Sequence, residues 1–322
     1  MAALTLTKQL AEARAGIVIF STLVSAALWF VPELTVHKEL VESVDFKFMG
    51  MTLFTIPIMI SRLISFVVWV FLLAIMVPVS EQMKLIPIRS MLPYVFGILG
   101  VSCVGSLHVF DERMLAFVLV AHAMRELCEM YSKQYQVLEG FKMVLFVLIA
   151  ALFRVEYVWL ILLFVIGLSV YRVASVKFVL SAFLSLGLMV WLLWGAYWLA
   201  GNVEGLLAYF RGALDFRFEF LNWNGLLYAK VGFAASLMIL TRLQADMFSY
   251  KYDLQVRLNN AMMGVAFWFA VVVMLVYGAG VLPFVIFMAI ESLSLYFTTE
   301  RTSMGNVIYI IMCVILVVAR LI

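Results

Sequence analysis

Charge is scarce in this chain. Only 13% of its 322 residues are Asp, Glu, Lys or Arg, 66% are hydrophobic, and the mean hydropathy is +1.12. A soluble domain carries about a quarter charged residues. A water-exposed fold of this length cannot hide so much apolar surface, so lipid is the expected solvent. The net charge is only +3 and no basic patch stands out, so no nucleic-acid partner is expected.

Cysteine is rare too. Cys103, Cys128 and Cys313 all fall within or at the ends of apolar runs. The first lies near the outer end of its expected helix and the second near the inner end of the next, so they are not expected to pair. Their spacing suits no metal. There is no Walker loop, GxSxG, HExxH or CxxC motif, so neither cofactor nor metal is expected. The first apolar run leads to Val31-Pro32-Glu33 without a small-residue cleavage site, which predicts a retained helix rather than a signal peptide. No repeat, low-complexity tract or linker divides the chain, and residues 1–322 read as a single integral membrane domain.

What the chain does have is a series of membrane-length apolar runs. They predict an all-α, polytopic transmembrane helical bundle of about eleven spans. The spans are 15–31, 50–79, 90–107, 113–129, 141–155, 156–171, 177–200, 225–241, 261–277, 280–296 and 304–320. The second run is too long for one straight crossing, and residues 46–61 are expected to lie in the interface or tilt steeply. The fifth and sixth are short and separated only by Arg154-Val155-Glu156. Short helices of this kind occur where a cavity lets polar backbone reach water.

The charges sit between these runs. With the N-terminus inside, thirteen Lys and Arg fall on the inner side and seven on the outer, while Arg62 and Lys230 lie within spans. The positive-inside rule therefore favours an N-terminus inside. Carboxylates collect in the outer gaps. Glu33, His37, Glu39, Glu42 and Asp45 lie in the first, and His108, Asp111 and Glu112 in the third. Arg154 and Glu156 form the fifth, and Arg211, Asp215, Arg217 and Glu219 the seventh.

His108, Asp111 and Glu112 are three and four residues apart, so a helical turn would present them together. In such a cluster a carboxylate acts as general base, or with His holds a divalent metal, while Arg grips a phosphate. The competing reading is a solvated acidic rim. The run Leu214-Asp215-Phe216-Arg217-Phe218-Glu219-Phe220 alternates strictly, which predicts an extended surface segment. His122, Arg125, Glu126 and Glu129 form one stripe on the fourth span, read either as an ion-pair seam or as a lipid-headgroup site. Arg62 and Glu291, charges inside apolar runs, are candidates for an ion path.

Several stretches together resemble an uncharacterised family of polytopic inner-membrane proteins of Bacteroidota, a domain of unknown function. They are Val109-Phe110-Asp111-Glu112 ahead of a helix ending in Arg125-Glu126, then Phe153-Arg154-Val155-Glu156-Tyr157. Tyr209-Phe210 through Phe218-Glu219-Phe220-Leu221-Asn222-Trp223 follows, and then Leu282-Pro283-Phe284-Val285 leading to Ile290-Glu291-Ser292. That resemblance implies no activity. A weaker likeness is to membrane glycosyltransferases that use polyprenyl-phosphate sugars, and to glycan polymerases. These carry acidic residues in the first outer loop and after the third helix, where Glu33 and Asp111–Glu112 stand here.

The likeness implies a protein acting on a lipid-linked glycan or lipid at the outer leaflet. Asp111 or Glu112 would be the base and Glu33 an accessory acid. Arg154, Arg211 or Arg217 would clamp phosphate, with Glu156 and His108 also against substrate. Expected partners are membrane lipids, a lipid-linked glycan or other envelope proteins. The alternatives are a non-enzymatic subunit or scaffold of an envelope machine, and a transporter.

Overall fold

The computed structural model describes residues 15–34, 43–86, 90–130, 137–171, 175–216, 218–222 and 253–299, with seven isolated positions between 225 and 243. Side chains of residues 15, 31–34, 296 and 298–299 are not described. The expected spans 225–241 and 304–320, together with Arg217, His37, Glu39 and Glu42, lie outside the described residues apart from isolated positions in the first span. The described chain is mostly helical.

Helix α1 covers Ala15–Leu34, and a hairpin of β1, Ser43–Phe48, and β2, Met51–Pro57, follows it. Then come α2, Ile58–Gln82, α3, Leu92–Ser102, α4, Glu112–Glu129, and α5, Val137–Phe153. A 3-10 segment, Val155–Trp159, leads into α6, Leu160–Tyr171, and then α7, Val176–Leu199, and α8, Val203–Arg211. Short 3-10 pieces at Gly212–Leu214 and Glu219–Asn222 precede α9, Leu254–Tyr277, and α10, Leu282–Thr299, which are joined by a 3-10 turn at Ala279–Val281.

Three of these helices, α2, α7 and α9, are long and apolar enough to cross a membrane. At 1.5 Å per residue α2 reaches about 37 Å, more than the roughly 30 Å hydrocarbon core. Shorter apolar helical stretches run over Gly16–Phe30, Leu92–Ser102, Val155–Tyr171 and Ala279–Leu295. Helix α3 is short yet nearly all buried, since α1, α2 and α10 pack around it. A helix that is apolar on every side belongs in a protein interior. Helix α7 is the opposite case. Ser181 and Ser185 are buried, while Phe183, Leu184, Trp191 and Trp198 point outward.

The region 46–61 departs from its expected interfacial or tilted helix. It forms the hairpin, and α2 begins only at Ile58. Met49 and Gly50 both have positive φ, 50° and 77°, as a two-residue mirror-image turn requires. Aromatic pairing supports the strands: Phe46 stacks on Phe54 with centroids 4.9 Å apart, and Phe46 also faces Phe110 and Phe153. The stretch 214–220 is not extended either. It bends at Phe218, φ 47°, between two 3-10 turns.

The connections alternate between two ends of the bundle. At one end the hairpin turn donates Met49 N–H to Leu152 O (2.9 Å), Tyr157 hydroxyl donates to Gly280 O (3.2 Å), and Trp159 Nε1 donates to Ala213 O (3.0 Å). At the other, Asn259 donates to Met83 O, Asn260 donates to Leu85 O (3.0 Å), and Tyr171 hydroxyl donates to Asn259 Oδ1 (2.8 Å). Helices α1 and α3 run parallel, as Thr22 with Tyr94, Ser25 with Ser102 and Trp29 with His108 succeed one another along both.

Candidate functional site

The Arg154 end holds a polar cavity. Arg154 sits in extended backbone between α5 and the following 3-10 segment. Its Nε and Nη2 donate to Glu156 Oε1 at 2.8 and 2.6 Å, and its Nη1 donates to Glu112 Oε1 at 3.3 Å. Both carboxylates are nearly sealed, 6% and 5% exposed for Glu112 and Glu156. Burial pulls the Arg154 pKa down, but Glu156 and then Glu112 outweigh it and hold the guanidinium above its ordinary value. Arg154 is therefore charged throughout the working pH range.

Each neighbour is placed by a local feature. Glu112 is the first residue of α4, where an acid meets the positive end of the helix dipole. Asp111 caps that helix, its Oδ1 accepting from Arg113 N–H at 3.0 Å. Lys47 sits at a bulge, since Phe46 faces Phe54 but Lys47 faces Thr52, leaving Leu53 without a partner on β1. The disrupted ladder lets Lys47 N–H turn to Glu112 Oε2, 3.4 Å away. Tyr209 of α8 shares its hydroxyl proton between Ala151 O (2.9 Å) and Leu152 O (3.0 Å), carbonyls that the end of α5 would leave open. Burial, then nearby Glu156, push the Tyr209 pKa up, so it remains a neutral donor. Tyr277, at the end of α9, accepts from Trp159 Nε1 at 2.8 Å and donates to Ala213 O.

These groups border an open cavity of about 230 Å³, lined by Lys47, Glu112, Arg154 and Glu156, by Tyr209 and Tyr277, and by Gly50 and Gly212. Gly280 makes the geometry fit, because a Cβ there would overlap Glu156 Oε1 and crowd Arg154 Nη2.

Of the residues singled out from sequence, Glu112, Arg154 and Glu156 converge in this cavity. Asp111 does not line it. Its carboxylate turns to Arg113, which also donates from Nη2 to Ser106 O at 2.7 Å. His108 is 1% exposed, stacks on Trp29 at 3.9 Å and bonds through Nε2 to Ser102 O at 3.0 Å. Helix α4 starts only at Glu112, so His108, Asp111 and Glu112 do not share a helical turn. Arg211 ends α8 exposed, one residue before the cavity wall. The backbone of Glu33 lies in the last turn of α1, and Arg217 lies outside the described residues.

Lys47, Tyr209, Tyr277 and Gly280 were not among the expected site residues, although Tyr209 stands in a stretch that carries the family resemblance. Gly280 carried a signal, as part of Tyr277-Gly278-Ala279-Gly280 between two apolar runs, where a glycine can mark close approach.

Burial raises the Asp111 pKa above its ordinary 3.8, and the Arg113 charge only partly opposes this. A raised carboxyl contributes fully below the unfolded value, and the fold loses stability as pH rises through the folded one. Asp111→Asn keeps an oxygen for the cap. The melting temperature of wild type minus that of Asp111→Asn is expected to fall as pH rises from about 4 toward neutrality. A flat difference in a pH series of thermal melts would contradict this.

Glu291 and Arg62 are far apart. Glu291 is 2% exposed and its Oε1 lies 2.5 Å from the Ser80 hydroxyl on α2. Arg62 is on the same helix, roughly 27 Å away along its axis. Glu291 does not line this cavity. Glu291→Gln can still pair with Ser80 and is expected to change stability by less than about 1 kcal/mol in thermal melts.

No family model, curated protein or solved structure matches the chain.

Proposed function

We propose that this is a multi-pass bacterial inner-membrane protein that binds the sugar head of a lipid-linked glycan in the cavity around Arg154. The observation that carries this reading is the convergence of Glu112, Arg154 and Glu156 on one open polar cavity. Its two carboxylates offset Arg154 and Lys47, so it has no net formal charge. At about 6 Å and an effective dielectric near 20, each unit pair is worth roughly 3 kcal/mol. A phosphate here would be attracted by two cations and repelled by two anions to a similar extent. A neutral, hydroxyl-rich ring suits the mixture better, with carboxylates accepting, Arg donating and two tyrosine rings flanking.

This changes the roles from those expected of a transferase. Both oxygens of Glu112 already accept hydrogen bonds, one from Arg154 and one from Lys47 N–H. With those oxygens engaged, we assign Glu112 and Glu156 to holding the Arg154 fork from its two sides. The eleven spans, the N-terminus inside and the outer-leaflet position of the cavity belong to the same proposal. Support comes from the alternation of connections between two ends and from outward apolar side chains such as Phe71, Phe183 and Trp191.

The test is binding in detergent followed by native mass spectrometry. Wild type is expected to retain a polyprenyl-phosphate sugar and to release the bare polyprenyl phosphate. Arg154→Gln is expected to release both. Equal retention of bare and glycosylated lipid by wild type overturns the sugar reading.

A further inference from the structure

We propose a second site: a lateral groove between α2, α4 and α5 that holds one acyl chain of an anionic phospholipid, with the phosphate on Arg125. The proposal rests on the membrane reading above but not on the Arg154 cavity. The groove has a volume of about 410 Å³ and is walled by Ile75, Val79, Val118 and Phe146, with His122 and Arg125 at one end. Ile75 and Val118 are exposed, so it opens sideways, where a chain can enter from the bilayer. Along α4, Phe117 to Arg125 is a run of roughly 12 Å. That matches a stretch of extended acyl chain and leaves the polar end beside Arg125.

The polar end sets Arg125 and Lys142 against Glu129 and Glu126, and what it offers an anion is the terminal edge of Arg125. Arg125 Nε donates to Glu129 Oε1 at 2.8 Å, one turn further along α4. That bond fixes the guanidinium from behind. Among the described residues, the two Nη groups have no hydrogen-bond partner. They form the planar fork that matches phosphate oxygens. His122 stands one turn before Arg125 with its ring against Phe146, centroids 4.6 Å apart, and is 42% exposed at the side chain. Its Nε2 lies 3.9 Å from Glu126 Oε1, as does Lys142 Nζ, so Glu126 ties α4 to α5 beneath the groove.

A zwitterionic lipid has the same chains and the same phosphate, but its own ammonium competes for that phosphate. An anionic head leaves the full charge to Arg125. This end is opposite the Arg154 cavity, because Arg125 lies in the last turns of the helix that begins at Glu112. In the proposed topology it is the inner leaflet.

The full-length protein, delipidated in detergent, would be offered mixed micelles of phosphatidylglycerol or phosphatidylcholine and its retained lipid counted by native mass spectrometry. Wild type is expected to retain one phosphatidylglycerol with about tenfold preference over phosphatidylcholine, the scale of one charge-assisted hydrogen bond. Arg125→Gln is expected to remove the preference, and Val118→Trp to reduce retention of both lipids by filling the groove. Inorganic phosphate at millimolar concentration is not expected to displace the lipid. Equal retention of the two lipids by wild type overturns the proposal without relying on any variant. Full displacement by inorganic phosphate also overturns it, since the site would then be an anion site without an acyl groove. Extraction from membranes without detergent would overturn the membrane reading instead, and binding of the glycosylated lipid at Arg154 is scored separately.

Discussion

Arg154→Met is expected to destabilise the protein by about 3 kcal/mol. Removing one partner of a buried ion pair costs about 3–5 kcal/mol, because the remaining charge is left uncompensated. Here one substitution strands two carboxylates, Glu112 and Glu156, both nearly sealed from solvent. The expected value lies at the low end because the Arg154 side chain is 32% exposed and partly screened. The triple variant Arg154→Met, Glu112→Gln, Glu156→Gln is expected to recover most of the loss, since no buried charge then lacks a partner. Thermal or denaturant unfolding in one detergent measures both. An Arg154→Met protein within about 0.5 kcal/mol of wild type would mean that water solvates both carboxylates without Arg154.

Gly280→Ala is the second large effect. The added methyl overlaps Glu156 Oε1, and the nearby Arg154 Nη2 leaves it little room to yield. Overpacking of this kind costs about 1–3 kcal/mol. The substitution reaches the site as well as the fold, because Glu156 must swing away and release Nε and Nη2 of Arg154. Retention of the glycosylated lipid is expected to fall more than tenfold, about 1.4 kcal/mol or beyond. Gly280→Ala combined with Glu156→Ala relieves the overlap. It is expected to regain part of the stability while binding stays lost. Recovery of both together would mean that Glu156 does not hold Arg154 for binding.

Hydropathy alone located most of the described helices. Lipid-scale apolar runs are long and uninterrupted, and a charge inside one is costly, so charges mark the ends. Helices α4, α5, α7 and α10 begin and end within a few residues of the expected spans. The same logic brought Glu112, Arg154 and Glu156 forward, because charges at helix ends are the few polar groups such a chain has.

The rest depended on partners far away in sequence. The hairpin was hidden because its second strand lies inside a long apolar run, its turn, Met49-Gly50, has no Asn or Asp, and its strands carry Phe on the face that meets Phe110 and Phe153. Only packing against α4 and α5 makes that run a pair of strands. His108 stood beside two acids in the sequence, yet Trp29 from α1 takes its ring into the interior. Arg125 belonged to a stripe that reads equally as an ion-pair seam and as a headgroup site. Its Nε makes the ion pair with Glu129, while its free edge faces a groove whose other walls come from α2 and α5. Composition and hydropathy therefore determined that the chain is a helical one suited to lipid and which charges sit at helix ends. The tertiary structure decided which of those charges meet, because ion pairs, ring stacking and the close approach at Gly280 join segments that no local pattern connects.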